Sequence, residues 1–303
     1  MRKLCAILLA GLLAGCTLPS ARPFVSPATF DSPLPPPAYS YLVPLAFSAP
    51  ELLGPAMLPS KRGLSLACGY DDMARMAREV FVLRVAWLWN WSPDPPLFPG
   101  VESVPCVWDG TVIGKALGGN SAWLLGFNEP DQWDQANMTP EEGARLWAML
   151  ERTYPDRKLA SPQVVKPYDY WLERWYAEYV RLYGRAPRMD AIAIHTYWGK
   201  DASEYKRQVA YYIDLAQQWG VPEVWVTEFT LAPELDGTVR TTVAELQAYI
   251  LWLDAQPMVT RYAPWTNRVE CMGFAPNTFF DTPLWGAGGG LSWMGEMYKT
   301  LGE

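Results

Sequence analysis

Two glutamates, each placed where an apolar run ends, have the residue type and context that catalysis would need. Glu129 follows the run Trp123–Gly126, inside the string Asn-Glu-Pro-Asp. Glu228 ends the run Val224–Thr227 in the same way. Burying a carboxylate at the end of a strand is energetically unfavourable unless the group has a partner, so its presence there suggests a partner or a function. Two such carboxylates could act on a glycosidic bond, where one protonates the leaving oxygen and the other attacks the anomeric carbon or activates water.

The sequence offers little for other kinds of catalytic or cofactor site. There is one histidine, His195, and the five cysteines show no Cys-x-x-Cys or Cys-x-x-His spacing, so no metal site is expected. No Gly-x-Ser-x-Gly elbow accompanies the histidine. The glycine-rich Gly286–Gly290 lacks the lysine of a phosphate loop. We therefore expect an enzyme that uses neither metal nor cofactor.

Composition indicates a neutral ligand. The 303-residue chain has a formal net charge of −7 and a pI near 5.0, which argues against nucleic acid, because its phosphates would be repelled. An anionic membrane surface is a poor match for the same reason. The 16 tryptophans and 16 tyrosines are enough to form a core and also to present flat apolar faces to sugar rings.

The elements that must position the two glutamates repeat as strand and helix from residue 61 onward. Eight strands are predicted, at Arg62–Cys68, Val82–Trp89, Ser103–Val107, Trp123–Phe127, Lys158–Pro162, Ala191–Tyr197, Val224–Phe229 and Val259–Trp265. Helices are predicted at Asp72–Glu79, from Thr139 to about Tyr154, and at Tyr170–Tyr183, Glu204–Trp219, Val243–Ala255 and Trp293–Leu301.

This alternation predicts an α/β fold, a single (β/α)8 TIM barrel over residues 61–303. A doubly wound open sheet is the alternative, but its nucleotide fingerprint is missing. Chemistry in such barrels lies at the carboxyl ends of the strands. Those ends carry aromatic and polar residues and no concentration of positive charge: Trp87, Trp89, Asn90, Trp91, Trp108, Asp109, Asn128, Glu129, Asp131, Ser161, Gln163, His195, Tyr197, Trp198, Glu228, Trp265 and Asn267. The pattern favours a cleft that binds carbohydrate.

Several strings resemble glycoside hydrolase family 128 in order and spacing. They are Lys-Arg-Gly-Leu (61–64), Asn-Trp (90–91), Gly-Phe-Asn-Glu-Pro-Asp (126–131), Gln-Ala-Asn-Met-Thr-Pro-Glu-Glu (135–142), His-Thr-Tyr-Trp-Gly (195–199), Val-Trp-Val-Thr-Glu-Phe (224–229), Arg-Tyr-Ala-Pro-Trp-Thr-Asn (261–267) and Leu-Ser-Trp-Met-Gly-Glu-Met-Tyr (291–298). The resemblance implies an endo-β-1,3-glucanase within a clan of retaining barrel glycosidases.

The resemblance also implies roles for particular residues. Glu129 would be the acid/base, Glu228 the nucleophile, and Asn128 a hydrogen-bond partner of the sugar 2-hydroxyl. An acid that works near neutral pH needs a raised pKa, while the nucleophile must stay ionised. Retaining chemistry would place the two carboxyl groups about 5–5.5 Å apart.

Further residues are expected to bind the polysaccharide or oligosaccharide substrate. His195 is expected to line the cleft or orient a glutamate rather than to transfer a proton. Tyr197 is expected to bond Glu228 or a sugar. Trp87 and Trp89 share a strand face, so one could lie in the barrel core while the other stacks on a sugar. Asp131 is expected to hold its loop. The substrate-binding set is Asn128, Trp89, Trp91, Trp108, His195, Tyr197, Trp198 and Trp265.

The N-terminal residues predict export and lipidation. Arg2 and Lys3 precede the apolar run Leu4–Leu13, which is too short to span a bilayer. It ends in Leu-Ala-Gly-Cys16, which resembles a bacterial lipobox. Residues 1–15 are therefore expected to be a lipoprotein signal peptide. Residues 16–60, with 11 of the 28 prolines, are expected to tether the domain from lipidated Cys16 to the cell envelope, at the outer membrane if the organism has one.

Two alternatives and one structural question stay open at this stage. The same chemistry could act on a xylan, a mannan or an exopolysaccharide, or the chain could be a non-catalytic glycan-binding surface lipoprotein. Pro264 and the long segment Thr266–Leu291 depart from the family pattern and leave the exact glycan open. A disulfide among Cys68, Cys106 and Cys271 is neither predicted nor excluded.

Overall fold

A computed structural model describes residues 60–67, 70–197, 201–230, 243–268, 284–285 and 289–301. All of these belong to one compact unit, Tyr41–Glu303. Several predictions fall outside the described residues: the signal peptide, lipidation at Cys16 and nearly all of the proline-rich segment, together with Trp198, Cys68 and Cys271. Across the part of the chain that the structure describes, no helix combines the length and the apolar character needed to cross a membrane.

The described strands and helices follow the predicted order. The strands are β1 (Gly63–Ser65), β2 (Trp87–Trp89), β3 (Glu102–Val104), β4 (Trp123–Leu125), β5 (Lys158–Ala160), β6 (Ala191–Thr196), β7 (Glu223–Phe229) and β8 (Val259–Pro264). The helices are α1 (Met73–Leu83), α2 (Pro140–Thr153), α3 (Trp171–Tyr183), α4 (Ala202–Trp219), α5 (Val243–Ala255) and α6 (Trp293–Thr300).

The strands form a parallel, barrel-like α/β fold. Strands β1, β2 and β3 pair in that order, and so do β4 to β8, all in parallel. Single bridges join the two sheets on both sides: Cys106 with Leu125, and Arg62 and Ser65 with Tyr262 and Trp265. The carboxyl ends of the strands therefore face the same way, as the predicted site requires.

One boundary in the predicted repeat is wrong. The sequence predicts Val82 as the first residue of the second strand, but it lies in the last turn of α1, which ends only at Leu83. The run of apolar residues there is continuous, and periodicity alone could not show where the helix stops and the strand starts. No helix lies between β2 and β3, all of whose linking residues are described, and only a 3₁₀ turn, Gly110–Val112, lies between β3 and β4.

Alternation along the strands separates an inner layer from an outer one. Leu88, Leu124 and Ile192 point outward into the layer shared with the helices. Their neighbours point inward, where large rings face small side chains: Trp87, Trp89, Val104, Cys106, Trp123, Leu125, Ala160, Ala191, Ala193, Trp225 and Ala263. The alanines of β5, β6 and β8 make room for tryptophans of β2, β4 and β7. The interior is thus filled by side chains, which fixes the strand ends above it.

The segment after β4 is closed by the helix start that the sequence predicts. Thr139 caps α2 by accepting a hydrogen bond from the backbone N–H of Glu142, Pro140 is the first helical residue, and acidic side chains occupy the first turn. Each feature stabilises a helix N-terminus. The loop that carries Glu129 is therefore bounded by a strand on one side and a well-capped helix on the other.

Candidate active site

Glu129 and Glu228 meet at one point on the carboxyl face of the barrel. Glu129 follows β4, Glu228 is the penultimate residue of β7, and both are buried. One oxygen from each carboxylate and a ring nitrogen of His195 all lie within 4.8 Å of one another. Residues 99 positions apart in the chain are thereby brought within reach of a single glycosidic bond.

Glu129 is held in an uncommon backbone conformation. Its φ is +43°, in the left-handed region that residues with a side chain seldom adopt. Its backbone N–H donates to the carbonyl oxygen of Gln163 at 2.8 Å, and its carbonyl accepts from the N–H of Gln132 at 3.0 Å. Such strained positions persist where surrounding contacts enforce them, and they cluster at active sites.

The approach of β4 to the segment after β5 requires a glycine just before this turn. A Cβ on Gly126 would lie 2.8 Å from the carbonyl oxygen of Ser161 and 2.7 Å from the ring of Trp147. The side-chain amide of Gln163 donates to the Gly126 carbonyl at 3.1 Å. Gln163 thus fixes the end of β4 with its side chain and the position of Glu129 with its backbone carbonyl. The sequence places Gln163 at a strand end but does not predict this positioning role.

Glu228 is surrounded by hydrogen-bond donors. The indole N–H of Trp91 donates to Oε1 at 3.0 Å, and the hydroxyl of Tyr197 donates to Oε2. Tyr197 therefore bonds Glu228, one of the two roles considered from the sequence. Donors stabilise the ionised form of a carboxylate, so this arrangement suits a group that must act as an anion.

His195 lies between the two carboxylates. Its Nδ1 is 2.7 Å from Oε1 of Glu129 and 3.4 Å from Oε2 of Glu228, and in the pairing of β6 with β7 it lies opposite Glu228. Burial alone would lower the pKa of His195, but the two carboxylates outweigh burial and raise it above its usual value. His195 is therefore placed to orient Glu129, in agreement with the expectation from the sequence.

The pKa of Glu228 differs from the simple expectation for a nucleophile. Burial raises the pKa of Glu228 to about 7, and the nearby charge of Glu129 adds to this effect, while His195, Tyr197 and Trp91 oppose it. Two carboxylates this close cannot both ionise easily. The hydrogen bonds from Trp91 and Tyr197 limit this rise and stabilise the Glu228 carboxylate once its proton has left.

This raised pKa predicts that Glu228→Gln stabilises the fold at alkaline pH. The folded protein holds the Glu228 proton up to about pH 7, whereas the unfolded chain releases it near pH 4.5. The contribution of the protonated group to stability is complete below pH 4.5 and is lost as the pH rises through about 7. Glutamine cannot ionise, so we expect a melting temperature roughly 3 °C or more above wild type at pH 8.

The same comparison at pH 4.5 serves as the control for this prediction. There the wild-type carboxyl is protonated, and the two melting temperatures should nearly coincide in differential scanning fluorimetry. A Glu228→Gln variant that is no more stable than wild type at pH 8 would show that ionised Glu228 does not destabilise the folded protein.

Three of the aromatic residues predicted to bind substrate form one cluster. Trp91, Tyr197 and Trp265 pack together with Val165 beside Glu228, and the ring centroids of Tyr197 and Trp265 are 6.4 Å apart. The peptide bond after Trp265 is cis. Trp108 is half-buried, and its carbonyl accepts from the backbone N–H of Asn128 at 2.9 Å.

Trp89 requires a correction, because it has no exposed surface. Its indole N–H donates to the carbonyl of Thr227 at 3.0 Å, and its ring packs under Trp91 at 5.3 Å and beside His195 at 6.2 Å. Trp87 is buried as well, so both tryptophans of β2 belong to the barrel interior. Trp89 supports residues of the site and does not present a ring face to a sugar.

Asn128 has an unused acceptor next to Glu129. Its side-chain N–H donates to Oε1 of Gln135 at 3.2 Å. Its Oδ1 is buried and has no hydrogen-bond partner among the residues that the structure describes. A buried acceptor without a partner is unfavourable. A sugar hydroxyl could satisfy it, which fits the role implied for Asn128.

Asp131 holds its loop, as the sequence predicts. Its carboxylate accepts from the backbone N–H groups of Val165 and Lys166, at 3.0 and 2.7 Å, and the Lys166 ammonium donates to the Asp131 carbonyl at 2.7 Å. The loops after β4 and β5 are thereby tied to each other. Burial raises the pKa of Asp131 to about 6, against the effect of these two backbone donors.

Glu129, His195 and Glu228 are also a group that could supply three ligands to a divalent cation. The oxygens of Glu228 already accept from Trp91 and Tyr197, and Glu129 already pairs with His195.

Cys106 is a buried free cysteine, near Gly126 and Gln163. It therefore takes part in no disulfide, which answers that part of the open question.

Comparison with protein families gives one match that covers most of the chain. Residues 69–298 match the family model described as glycosyl hydrolase catalytic core. A search of curated protein sequences returns no match.

Solved structures of glycoside hydrolase family 128 share the fold, in agreement with the resemblance seen in the sequence. A curdlan-specific exo-β-1,3-glucanase from Blastomyces gilchristii (subgroup III) is 26% identical, with a TM-score of 0.59, 80% of this chain covered and 98% of the other. An endo-β-1,3-glucanase from Pseudomonas viridiflava (subgroup II) is 25% identical, with a TM-score of 0.57 and coverages of 80% and 97%. An endo-β-1,3-glucanase from Amycolatopsis mediterranei (subgroup I) is 24% identical, with a TM-score of 0.63 and coverages of 79% and 99%.

Proposed function

The chain belongs to the glycosyl hydrolase catalytic core family, and we propose that this glycoside hydrolase cleaves β-1,3-glucan by a retaining, two-carboxylate mechanism. The observation that carries the proposal is the presence of oxygens from Glu129 and Glu228 within 4.8 Å of each other. Retaining glycosidases hold their carboxyl groups about 5–5.5 Å apart, whereas inverting enzymes leave about 6.5–9.5 Å for a water molecule. The short separation supports direct attack by one carboxylate.

In the first step Glu228 attacks the anomeric carbon while Glu129 protonates the departing glycosidic oxygen. The bond between the sugars breaks, a glycosyl ester forms on Glu228, and Glu129 is left as a carboxylate. Assigning the nucleophile to Glu228 is supported by its donors Trp91 and Tyr197, which favour the anion. Glu129 lies 2.7 Å from Nδ1 of His195, and this contact fixes the position of its carboxyl group.

In the second step a water molecule replaces the first product. Glu129, now ionised, removes a proton from this water as its oxygen attacks the anomeric carbon, and the ester bond to Glu228 breaks. Both residues return to their starting protonation states. Asn128 is proposed to bond the 2-hydroxyl of the reacting sugar in both steps, and the support is its buried acceptor, which has no partner among the described residues.

A panel of polysaccharides tests the substrate assignment. Purified protein should release reducing ends from laminarin and curdlan, and not from xylan, mannan or a bacterial exopolysaccharide that lacks β-1,3-glucosyl linkages. A preparation of the Glu129→Ala, Glu228→Ala double variant controls for contaminating glucanases. Release from xylan or mannan instead would keep the chemistry and change the glycan. Binding without release from any polymer would indicate a non-catalytic glycan-binding protein.

Endo action is the proposed mode of cleavage, on the basis of the sequence resemblance. The similar structures include enzymes described as endo-acting and as exo-acting, so the mode has to be measured on this protein. Endo cleavage should lower the viscosity of a soluble β-1,3-glucan before many reducing ends appear, and the early products should have several lengths. Release of one small product from the start would contradict it.

We also propose that residues 1–15 direct export, that Cys16 is lipidated, and that residues 16–60 tether the domain, 61–303, to the cell envelope. The support is the short apolar run, the lipobox-like string before Cys16 and the proline content. Cys16→Ala should abolish incorporation of radiolabelled palmitate and release the protein from the membrane fraction. Unchanged labelling in the variant would contradict lipidation at this residue.

A further inference from the structure

Trp133 is the most exposed large hydrophobic residue of the described chain, at 70%. Single exposed apolar residues are common on protein surfaces. This one lies four residues after Glu129, in the loop that carries the proposed acid/base. The mechanism above does not use Trp133, which lies beyond the end of β4 itself.

The loop beneath Trp133 is fixed by hydrogen bonds on both sides. The N–H of Gln132 donates to the Glu129 carbonyl at 3.0 Å, that of Ala136 to the Asn128 carbonyl at 3.2 Å, and that of Met138 to the Pro130 carbonyl at 2.9 Å. The first of these closes a turn, which keeps the Cα atoms of Glu129 and Gln132 within about 7 Å. One further residue adds about 3.8 Å, so the Trp133 Cα is at most about 11 Å from that of Glu129.

A second exposed aromatic residue lies on the neighbouring loop. Tyr168 is 53% exposed, and its ring packs edge-on against Tyr211 at 5.7 Å. Asp131 ties this loop to that of Trp133 through the backbone N–H groups of Val165 and Lys166. The two rings therefore stand on anchored loops that follow adjacent strands, on the same face of the barrel as the two glutamates.

From this arrangement we infer that Trp133 is a stacking platform for glucan units beyond the bond that is cleaved. Tyr168, on the neighbouring loop, extends the same binding surface. An indole ring offers a rigid, flat apolar face at little conformational cost. A platform on an anchored loop continues the binding surface outward from the catalytic pair. The occupant is the neutral glucan chain itself, so the inference rests on the proposed function.

The test compares substrates of different length. In Trp133→Ala, kcat/KM for laminarihexaose should fall about tenfold, whereas kcat/KM for laminaritriose should change by less than about twofold. Trp133→Phe, which keeps a ring, should recover most of the loss. Tyr183→Ala is the matched control, since Tyr183 is 41% exposed at the C-terminal end of α3, and it should behave like wild type on both substrates.

The possible failures are distinguishable. Wild-type protein that releases no reducing ends from either oligosaccharide would remove the proposed function, and this inference with it. An active wild type with an unchanged Trp133→Ala variant on laminarihexaose would overturn the platform alone. An equal loss on both oligosaccharides would also overturn it, because that result would mean that the substitution disturbs the loop of Glu129.

Discussion

Glu228→Ala is expected to lower kcat for β-1,3-glucan by about 10⁴-fold or more, because it removes the group that forms the covalent intermediate. The variant should fold, since it replaces a buried carboxylate, whose burial raises its pKa to about 7, with a neutral side chain. Its circular dichroism spectrum should match that of wild type, and it should still bind laminarihexaose.

The space left by the Glu228 side chain gives this prediction a second readout. Azide should enter it and attack the anomeric carbon of a β-configured glucosyl fluoride, while Glu129 assists departure of fluoride. The product should be an α-glycosyl azide, formed with inversion. A Glu228→Ala variant that keeps a tenth or more of wild-type turnover would show that another group is the nucleophile.

Glu129→Ala is expected to lose activity to an extent that depends on the leaving group of the substrate. A general acid typically contributes 10²–10⁴-fold, so kcat/KM for laminarin should fall by about that factor. A substrate with a good leaving group, such as a 2,4-dinitrophenyl glycoside, does not need protonation and should form the glycosyl ester at near wild-type rate. Hydrolysis of that ester should then be slow, because the same residue must also activate water.

Azide again separates the roles of the two glutamates. With Glu129→Ala it should accelerate turnover of the dinitrophenyl substrate and give a β-glycosyl azide, since the ester on Glu228 is intact and is displaced from the opposite face. Glu129→Gln is the matched control that keeps the size of the side chain. Equal losses on good and poor leaving groups would contradict the assignment of Glu129 as acid/base.

The sequence predicts contacts between site residues where the side chains at neighbouring strand ends face each other directly. Glu129 and Glu228 could be paired from sequence because parallel strands in one barrel present their carboxyl ends on one face. Tyr197 bonds Glu228, one of the two roles predicted for it, and Asp131 holds its loop as predicted. Strand order and most helices could likewise be predicted from apolar periodicity.

Features that depend on packing above the strand ends could not be predicted in this way. Alternation places Trp87 and Trp89 on one face, but burial of Trp89 depends on Trp91 and His195 packing over it. The positive φ of Glu129 arises from its bonds to distant Gln163 and to the following turn. The raised pKa of Glu228 is a balance between burial and donors from two other strand ends. None of these has a local pattern in the sequence.

The most direct test of the account follows the anomeric configuration of the product by proton NMR during hydrolysis of laminarihexaose. A retaining mechanism through Glu129 and Glu228 predicts that the β-anomer of the new reducing end appears first and that mutarotation produces the α-anomer later. Initial appearance of the α-anomer, or no new reducing end at all, would contradict it.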